Sequence, residues 1–523
     1  MRELEGGETG GGNTLRRRDL VLAGLALPFL VLERQGAPAL AAANPEEGAP
    51  FDALSVRQLA RELAQKSYKP LDTNLPDTLK NLTYDQYRSI RFVPEKALWR
   101  GAGLPFEAQF FHRGFYYTDR VDVFEVYQGR AHRIVYSPSM FSFGKLTPPD
   151  PSADIGFAGF RLHAPINRPD YYDEVAVFLG ASYFRSLAKG LNFGLSARGL
   201  AIATGDPKGE EFPAFKSFWL ERPQPNTRSI VVHALLDSPS AAGAYRFTIR
   251  PGDTTVFDIE AALYPRVDMP TPGLAPLTSM FMFDAGNRAN VDDFRPAVHD
   301  SDGLAMQNGR GEHLWRPLNN PADLQMSTFL DTNPRGFGLI QRKRDFRDYQ
   351  DLEAHYEKRP SLWVEPIGDW GEGGVFLVEI PSKEEIHDNI VAFWRPNEPL
   401  RAKGEYTFTY RQHWGSGKSY KPKLAEVRAT RAGRGSDPKQ RLFVLDFQGE
   451  NLKTAGPPEN IRGIVSASAG ATKNIVTQPN PETGGWRLSF ELVPGRESLS
   501  ELRAQLVQGE TMLSEVWLYR WTA

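Results

Sequence analysis

Three short apolar runs near the middle of the chain decide its fold class: Ser229-Ile-Val-Val-His-Ala-Leu-Leu236, Tyr245-Arg-Phe-Thr-Ile-Arg250 and Thr254-Thr-Val-Phe-Asp-Ile-Glu-Ala-Ala-Leu263. Each is rich in β-branched and aromatic residues and is bounded by turn-forming residues, which is typical of a β-strand. Similar runs lie at residues 174–179 and 374–380, and residues 121–136 read as a hairpin. The pattern predicts an all-β protein built as a large sandwich.

Two helices are expected ahead of these strands. Apolar residues recur at helical spacing in residues 51–68, and Ser55 is a plausible N-cap. Residues 83–90 indicate a second, shorter helix.

The end of the chain predicts a second, smaller sandwich. A polar, flexible stretch follows Trp414, and the last ~100 residues then read as about seven short strands, which is the size of an immunoglobulin-like sandwich. Apolar residues alternate clearly from Trp486 to Leu492 and from Trp517 to Trp521. We therefore predict a β-sandwich domain at residues 44–412 and an immunoglobulin-like domain at residues 413–523.

The first 43 residues indicate an export signal. Arg16-Arg-Arg-Asp-Leu-Val-Leu22 opens an apolar run of about 13 residues that contains Pro28, and small residues follow it up to Ala43. The paired arginines fit the twin-arginine pattern. The alternative is a membrane anchor, but a spanning helix needs ~20 apolar residues. We predict a cleaved twin-arginine signal and a periplasmic protein.

Composition excludes several classes of protein. The 62 Lys and Arg residues balance the 64 Asp and Glu residues, so charge does not predict a nucleic-acid partner. The chain has no cysteine, which excludes disulfides and thiolate sites. Its histidines are scattered, and Asp300-Ser-Asp302-Gly303 lacks the distal Glu of a calcium loop. No metal or cofactor is predicted.

The stretch from Phe281 to Trp394 is dense in acids, aromatics and arginines. Aromatic faces stack on sugar rings and charged groups bond to sugar hydroxyls, so this composition indicates a carbohydrate site. The alternative is that the aromatic residues pack in the hydrophobic core and that the acidic motifs lie in turns.

Glycoside hydrolysis requires two carboxylates, one protonated and one ionised. Spacing along the sequence does not choose between the acids of this stretch, because a sheet gathers residues that are distant in the chain. The candidates are Asp300, Asp302, Asp348, Asp351, Glu365, Asp369 and Asp388.

Several long sequence motifs resemble those of a known family. They are Phe178-Leu-Gly-Ala-Ser-Tyr-Phe-Arg185, Phe212-Pro-Ala-Phe-Lys-Ser-Phe-Trp-Leu-Glu-Arg-Pro223, His299-Asp-Ser-Asp-Gly-Leu304, Lys358-Arg-Pro-Ser-Leu-Trp-Val-Glu-Pro366 and Asp388-Asn-Ile-Val-Ala-Phe-Trp394. On these residues the chain resembles the periplasmic glucan biosynthesis protein G/D family, also called osmoregulated periplasmic glucan proteins. The twin-arginine signal favours the D branch.

The resemblance implies a galactose-mutarotase-type β-sandwich with a long cleft, followed by an immunoglobulin-like domain. It also implies that Asp388 is the general acid of an inverting glycosidase and that Asp300 is the general base, acting directly or through a water. The expected sugar contacts are Tyr183, Arg185, Trp219, Glu221, Tyr356, Arg359, Trp363 and Glu365.

Three functions stay open at this point. The protein is an inverting endo-β-1,2-glucanase, a transglycosylase that transfers or cyclises β-1,2-glucan, or a non-catalytic glucan-binding factor. The partners that the resemblance implies are a β-1,2-glucan chain, a second copy of the protein whose loop at residues 415–440 completes the cleft, and the membrane glucan synthase.

Overall fold

The computed structural model describes residues 48–288, 291–417, 423–453 and 460–523, and the predicted export signal lies outside these ranges. Within the described residues no helix has the length and apolar character needed to cross a membrane. The helices are α1 Ser55–Ala64, α2 Asp77–Lys80, α3 Tyr84–Ser89 and α4 Glu450–Lys453, with short 3₁₀ turns at Pro94–Lys96, Pro138–Met140, Phe346–Asp348 and Tyr356–Lys358.

Strands account for most of the remaining regular structure. The first seventeen, β1 to β17, are Ala49–Pro50, Arg91–Phe92, Glu107–Phe111, Asp122–Tyr127, Arg130–Arg133, Phe141–Ser142, Gly159–Arg168, Tyr171–Leu179, Tyr183–Ser186, Ser196–Arg198, Leu200–Ile202, Ala214–Glu221, Ile230–Asp237, Ala241–Arg250, Thr255–Pro265, Pro272–Ser279 and Phe281–Phe283. Strands β18 to β34 are Val298–His299, Gly303–Gln307, His313–Pro317, Gln325–Thr332, Gly336–Ile340, Ser361–Ile367, Glu372–Glu379, Ile390–Pro396, Tyr406–Gly415, Glu426–Arg434, Arg441–Gln448, Ile461–Ala467, Ala471–Asn480, Gly485–Val493, Leu499–Gln508, Thr511–Met512 and Val516–Thr522. The predicted all-β fold is confirmed.

Two large sheets form the main sandwich. A 16-stranded sheet has the order β1-β5-β4-β12-β13-β14-β15-β26-β23-β22-β19-β20-β34-β32-β29, with β33 beside β32. A 10-stranded sheet has the order β21-β24-β25-β16-β10-β9-β8-β7-β3, with β11 beside β16. Strands β13, β14 and β15, which the three opening runs predict, are consecutive antiparallel neighbours in the larger sheet.

Aromatic residues fill the space between these two sheets. Phe178 of the smaller sheet meets Phe218 of the larger one with ring centroids 5.4 Å apart, and Phe184 stacks on Phe257 at 5.9 Å. All four side chains are nearly inaccessible to solvent. Because side chains alternate between the two faces of a strand, the neighbours of these residues point to the outer faces.

Helix α1 covers the outer face of the larger sheet. Its buried residues Val56 and Ala60 pack against Trp219 and other residues of that face. Ser55 is not the N-cap as predicted, because Leu54 holds that position and no side chain caps it. Ser55 instead donates a hydrogen bond to Asp52. The second predicted helix is α3, which begins with a Thr83–Gln86 capping box.

The C-terminal domain is a smaller sandwich that continues the larger sheet. Its separate sheet has the order β27-β28-β31-β30, and its other strands, β29, β32 and β34, extend the 16-stranded sheet through parallel pairing of β34 with β20. The alternating residues Leu488 and Phe490 lie in its core, as does Trp517. The predicted boundary at residue 413 falls inside β26, which pairs with β15 and β23 of the large sandwich.

Candidate active site

Asp300 occupies the position directly after the short strand β18. That strand pairs with β17, where Phe281 lies opposite His299. The backbone N–H of Asp300 donates to the carbonyl of Met280. The His299 ring stacks on Phe281 with centroids 5.3 Å apart and is fully buried. A tightly packed backbone therefore fixes the direction in which the Asp300 carboxyl points.

Asp388 lies two residues before β25 of the smaller sheet, and the intervening residue, Asn389, ties it to the Asp300 segment. The Asn389 side chain accepts a hydrogen bond from the Phe281 N–H at 2.8 Å and donates to the Phe281 carbonyl at 2.9 Å. It also donates to the carbonyl of Ile380. Asn389 is buried. Through this amide, the segment that carries Asp388 is joined to the strand pair that carries Asp300.

Burial is the main influence on the Asp300 carboxyl. Asp300 is 8% exposed, and burial raises its pKa to about 6. The Arg359 guanidinium, with Nε 3.4 Å from Oδ1, opposes this rise, whereas the nearby Asp388 carboxylate adds to it. Within the described residues, Oδ1 accepts no hydrogen bond. A carboxyl whose pKa is shifted in this way is suited to exchange protons with a water or a substrate.

Two of the predicted sugar contacts lie on strand β9, and one of them, Arg185, lies beside Asp388. Phe184 of β9 points into the core, so its neighbours Tyr183 and Arg185 point to the outer face of the smaller sheet. An Arg185 Nη lies 3.9 Å from the Asp388 carboxylate, and the guanidinium is held by a hydrogen bond to Ser196. The site therefore lies on the outer face of the 10-stranded sheet.

Two further predicted contacts lie beside Asp300. The Arg359 guanidinium sits over the Tyr356 ring, 5.5 Å from its centroid, and donates to the carbonyl of Phe193. Tyr356 is buried, and its pKa is raised by burial first and then by the charges of Glu385 and Asp300. Both residues thus border the Asp300 carboxyl.

The other four predicted sugar contacts are not part of this group. They lie on the outer face of the larger sheet, on the opposite side of the sandwich, because Leu220 and Leu362 beside them point into the core. The two tryptophans are buried in separate hydrophobic clusters, one under α1 and the other against the C-terminal domain. The two glutamates bond to histidines of neighbouring strands. These four residues are Trp219, Glu221, Trp363 and Glu365.

The remaining candidate acids have structural partners. Asp302 binds the Lys343 ammonium at 2.8 Å, and Asp351 binds Arg295 at 2.8 Å. Asp369 accepts a hydrogen bond from a backbone N–H in its own turn, and Asp348 accepts one within its 3₁₀ turn. These contacts account for the four residues without a catalytic role.

One group of side chains could hold a metal ion. Ligand atoms of Asp284, His299 and Asp302 lie within 4.8 Å of one another. The Lys343 ammonium bonds to both carboxylates, at 3.2 and 2.8 Å. Its positive charge lowers the pKa of Asp302, and burial lowers the pKa of His299 to about 4. A lysine thus supplies the cation that these donors would otherwise take from solution.

Sequence reasoning did not single out Asn389 or Arg295. Arg295 binds Asp293, Asp351 and Glu385, each at 2.8 Å, and so gathers three loops near Tyr356. Asn389 lies inside the sequence motif that begins with Asp388, and its place in that motif could have marked it as a candidate site residue. The hydrogen bonds of Asn389 to the Phe281 backbone were not predictable from the sequence, because the two residues are far apart in the chain.

Two solved structures have limited similarity to the fold. One is a galactose mutarotase related enzyme from Lactobacillus acidophilus, with 9% identity and a TM-score of 0.21, which covers 45% of this chain and 96% of that chain. The other is the Slr1438 protein from Synechocystis sp. PCC 6803, with 8% identity and a TM-score of 0.18, covering 50% and 92%. Similarity this low carries no argument about function.

Curated relatives are much more similar. Glucans biosynthesis protein G of Rhodopseudomonas palustris strain BisA53 is 59% identical over 508 residues, which are 97% of this chain and 100% of that protein. The Vibrio cholerae protein of the same name is 54% identical over 476 residues, covering 90% and 87%. These relatives carry the name of the G protein, so the expected preference for the D branch is not supported.

The family profile described as "Periplasmic glucan biosynthesis protein, MdoG" matches residues 51–521. This match spans both sandwiches and includes Asp300, Asn389 and Asp388. The chain therefore belongs to the periplasmic glucan biosynthesis protein MdoG family.

Proposed function

We propose that this protein acts on the β-1,2-glucan backbone as an inverting endo-β-1,2-glucanase in periplasmic glucan biosynthesis. The observation that carries the proposal is the buried Asp300 carboxyl, whose pKa is raised to about 6 beside a second carboxyl, Asp388. The names of the relatives support glucan as the polymer. Arg185 and Arg359 supply donors for sugar hydroxyls, and Tyr183 and Tyr356 supply aromatic surface.

In this mechanism the two acids act on opposite faces of one sugar ring. Asp300, largely ionised at neutral pH, takes a proton from a water molecule, whose oxygen forms a bond to the anomeric carbon. The bond between that carbon and the glycosidic oxygen breaks, and Asp388 acts as the general acid that donates a proton to the leaving oxygen. The product has an inverted anomeric centre. Asp300 then returns its proton to solvent, and Asp388 takes one up.

The first test is product analysis with the exported chain, residues 44–523, and linear β-1,2-glucan. Shorter linear chains with a newly formed α-anomer, which vanish in Asp388→Asn, would support the hydrolase. Products that lack one water, or that carry a new linkage, would indicate the transglycosylase instead. If the glucan is retained unchanged by both proteins, the catalytic proposal is wrong and the binding function takes its place.

A second test assigns the two roles. A substrate with a good leaving group, such as a nitrophenyl glycoside of a β-1,2-linked oligosaccharide, needs little protonation at departure. Asp388→Asn should therefore keep much of its activity on this substrate, while Asp300→Asn should lose it. The opposite pattern would exchange the acid and the base.

We propose further that the protein is exported by the twin-arginine route and works as a homodimer near the membrane glucan synthase. Replacing Arg17 and Arg18 by lysine should stop export, and fractionation of the cell would measure this. Light scattering of the purified protein measures the dimer, and crosslinking in membranes measures contact with the synthase.

A further inference from the structure

A cavity of about 430 Å³ lies where the large sandwich meets the C-terminal domain, and neither of the two catalytic candidates lines it. The segment after β22 forms one wall and strand β27 forms the other. Its volume lies within the range of small-molecule sites. Five cationic side chains line it: Arg342, Lys343, Arg344, Arg428 and Arg431.

Four of these cations already have carboxylate partners. The Arg342 guanidinium makes a two-pronged pair with Glu515 at 2.5 and 3.0 Å, and both residues are buried. The other pairs are Lys343–Asp302 at 2.8 Å, Arg428–Glu426 at 3.3 Å and Arg431–Asp446 at 2.6 Å. These four contribute less net charge to the cavity than their number suggests.

Arg344 is different, because among the described residues its hydrogen bonds go only to neutral groups. It donates to the carbonyls of Glu357 and Arg359 and to the Ser361 hydroxyl at 3.1 Å. Its buried Nε has no hydrogen-bond partner among the described residues. Burial lowers the pKa of Arg344, and the like charge of Arg428 adds to this effect, while Tyr349 and Asp302 oppose it. A partly buried cation without a hydrogen-bonded counter-charge is costly.

The two acids that line the cavity do not neutralise Arg344. Asp345 is engaged by the Arg347 guanidinium at 2.7 Å. Asp348 accepts a hydrogen bond from the Asp345 N–H, and burial raises its pKa. Both carboxyls are thus directed to their own turn.

We infer that this cavity binds a small oxyanion, a phosphate, a phosphate ester or a carboxylate, held by Arg344 and Arg428 between the two domains. The guanidinium group presents its donors as a planar fork that matches the oxygens of these anions. The anion would supply the counter-charge that Arg344 lacks. Because one arginine comes from each domain, the bound anion would also strengthen the junction between them.

The test is titration calorimetry with inorganic phosphate at constant ionic strength, together with thermal unfolding over the same concentrations. We expect saturable binding and a rise in Tm for the unmodified protein. Arg428→Gln should bind about tenfold more weakly, since it loses one charged contact. Arg168→Gln is the matched control, because Arg168 is 69% exposed and pairs with Asp170, and neither residue lines the cavity. It should bind like the unmodified protein.

The absence of saturable binding, or equal binding by Arg428→Gln, would overturn the inference. Methyl phosphate and acetate, titrated in the same way, distinguish the three sources of the anion by their relative affinities. The readout requires no glucan, so its failure would leave the proposed glucanase untouched, and the reverse also holds.

Discussion

The side-chain amide of Asn389 and the backbone of Phe281 form a reciprocal pair of hydrogen bonds, at 2.8 and 2.9 Å. One partner directly follows Asp388, and the other lies opposite His299, the residue before Asp300. This pair resembles the two hydrogen bonds that opposite residues of neighbouring strands exchange, except that a side-chain amide takes the place of one backbone. It is therefore the contact that sets the two carboxyls relative to each other.

Asn389→Asp should disturb this setting without changing side-chain volume. A carboxylate accepts but does not donate, so the Phe281 carbonyl would lose its donor and face a negative charge. We expect kcat on β-1,2-glucan to fall by more than about tenfold, with a stability loss of about 1–3 kcal/mol. Steady-state kinetics and denaturant unfolding measure the two effects.

Asn480→Asp is the matched control in the C-terminal domain. Asn480 is also buried and donates its amide hydrogen to Asp446 at 3.1 Å. This variant should lose stability but keep kcat. Equal losses of kcat in the two variants would contradict a positioning role for Asn389.

Asp300→Asn should make the protein inactive and yet more stable at neutral pH. The folded-state pKa of Asp300 lies above its ordinary value of 3.8, so ionisation costs folding free energy. Stability is thus lost as the pH rises from about 4 through about 6, by about 3 kcal/mol in total. The amide variant avoids this loss. Urea unfolding at pH 4 and at pH 7.5 should find a gain only at the higher pH.

Asp345→Asn provides a control of opposite sign. Hydrogen bonds from the Arg347 side chain and backbone hold the pKa of Asp345 at about 2, below its ordinary value. Its contribution to stability is therefore present at neutral pH and is lost in acid. If Asp300→Asn and Asp345→Asn shift stability in the same direction at pH 7.5, the raised pKa of Asp300 is wrong.

Arg359 should control the acid limb of the pH profile. With Asp300 as the base, kcat/KM should rise with pH through about 6. Arg359→Gln removes the cation that opposes the rise in the pKa of Asp300, so the limb should move upward by about one pH unit. Arg359→Lys keeps the charge and should move it less. A limb that stays in place in Arg359→Gln would exclude Asp300 as the titrating group.

Trp219 should behave as a core residue and not as a sugar contact. Its ring stacks between Phe124, at 5.2 Å, and Phe51, at 5.9 Å, on the face that α1 covers. Trp219→Ala should cost about 3–5 kcal/mol of stability and leave KM for glucan unchanged below the unfolding transition. Tyr183→Ala should instead raise KM at little cost in stability. A raised KM in Trp219→Ala alone would restore the original expectation.

Strand positions were predictable because they depend on local pattern. The runs that became β13, β14 and β15 carry their β-propensity and their turns within a few residues. The predicted cap at Ser55 was wrong, because the Ser55 hydroxyl bonds to Asp52 and Leu54 holds the N-cap position. The predicted boundary at residue 413 lies within β26, which pairs with β15 and β23, and such long-range pairing is not visible in local composition.

The candidate site divides in the same way. The two candidate acids were chosen through the family resemblance, from the sequence motifs that begin at His299 and at Asp388. Composition also favoured Trp219 and Trp363 as sugar contacts, because an aromatic residue next to charged residues has the same local pattern on either sheet. Alternation along each strand sends them to the far side of the sandwich, and only strand pairing determines which side that is.

The sequence by itself determined the all-β fold, the order of the two sandwiches and the family, since these follow from local periodicity and from long shared words. Only the tertiary structure decided which face carries the candidate site, how Asn389 joins the segments of Asp388 and Asp300, and that the half-buried Arg344 has no hydrogen-bonded carboxylate partner among the described residues. Burial and charge pairing decide these properties. Both depend on residues that meet through folding across long stretches of chain, which local sequence does not encode.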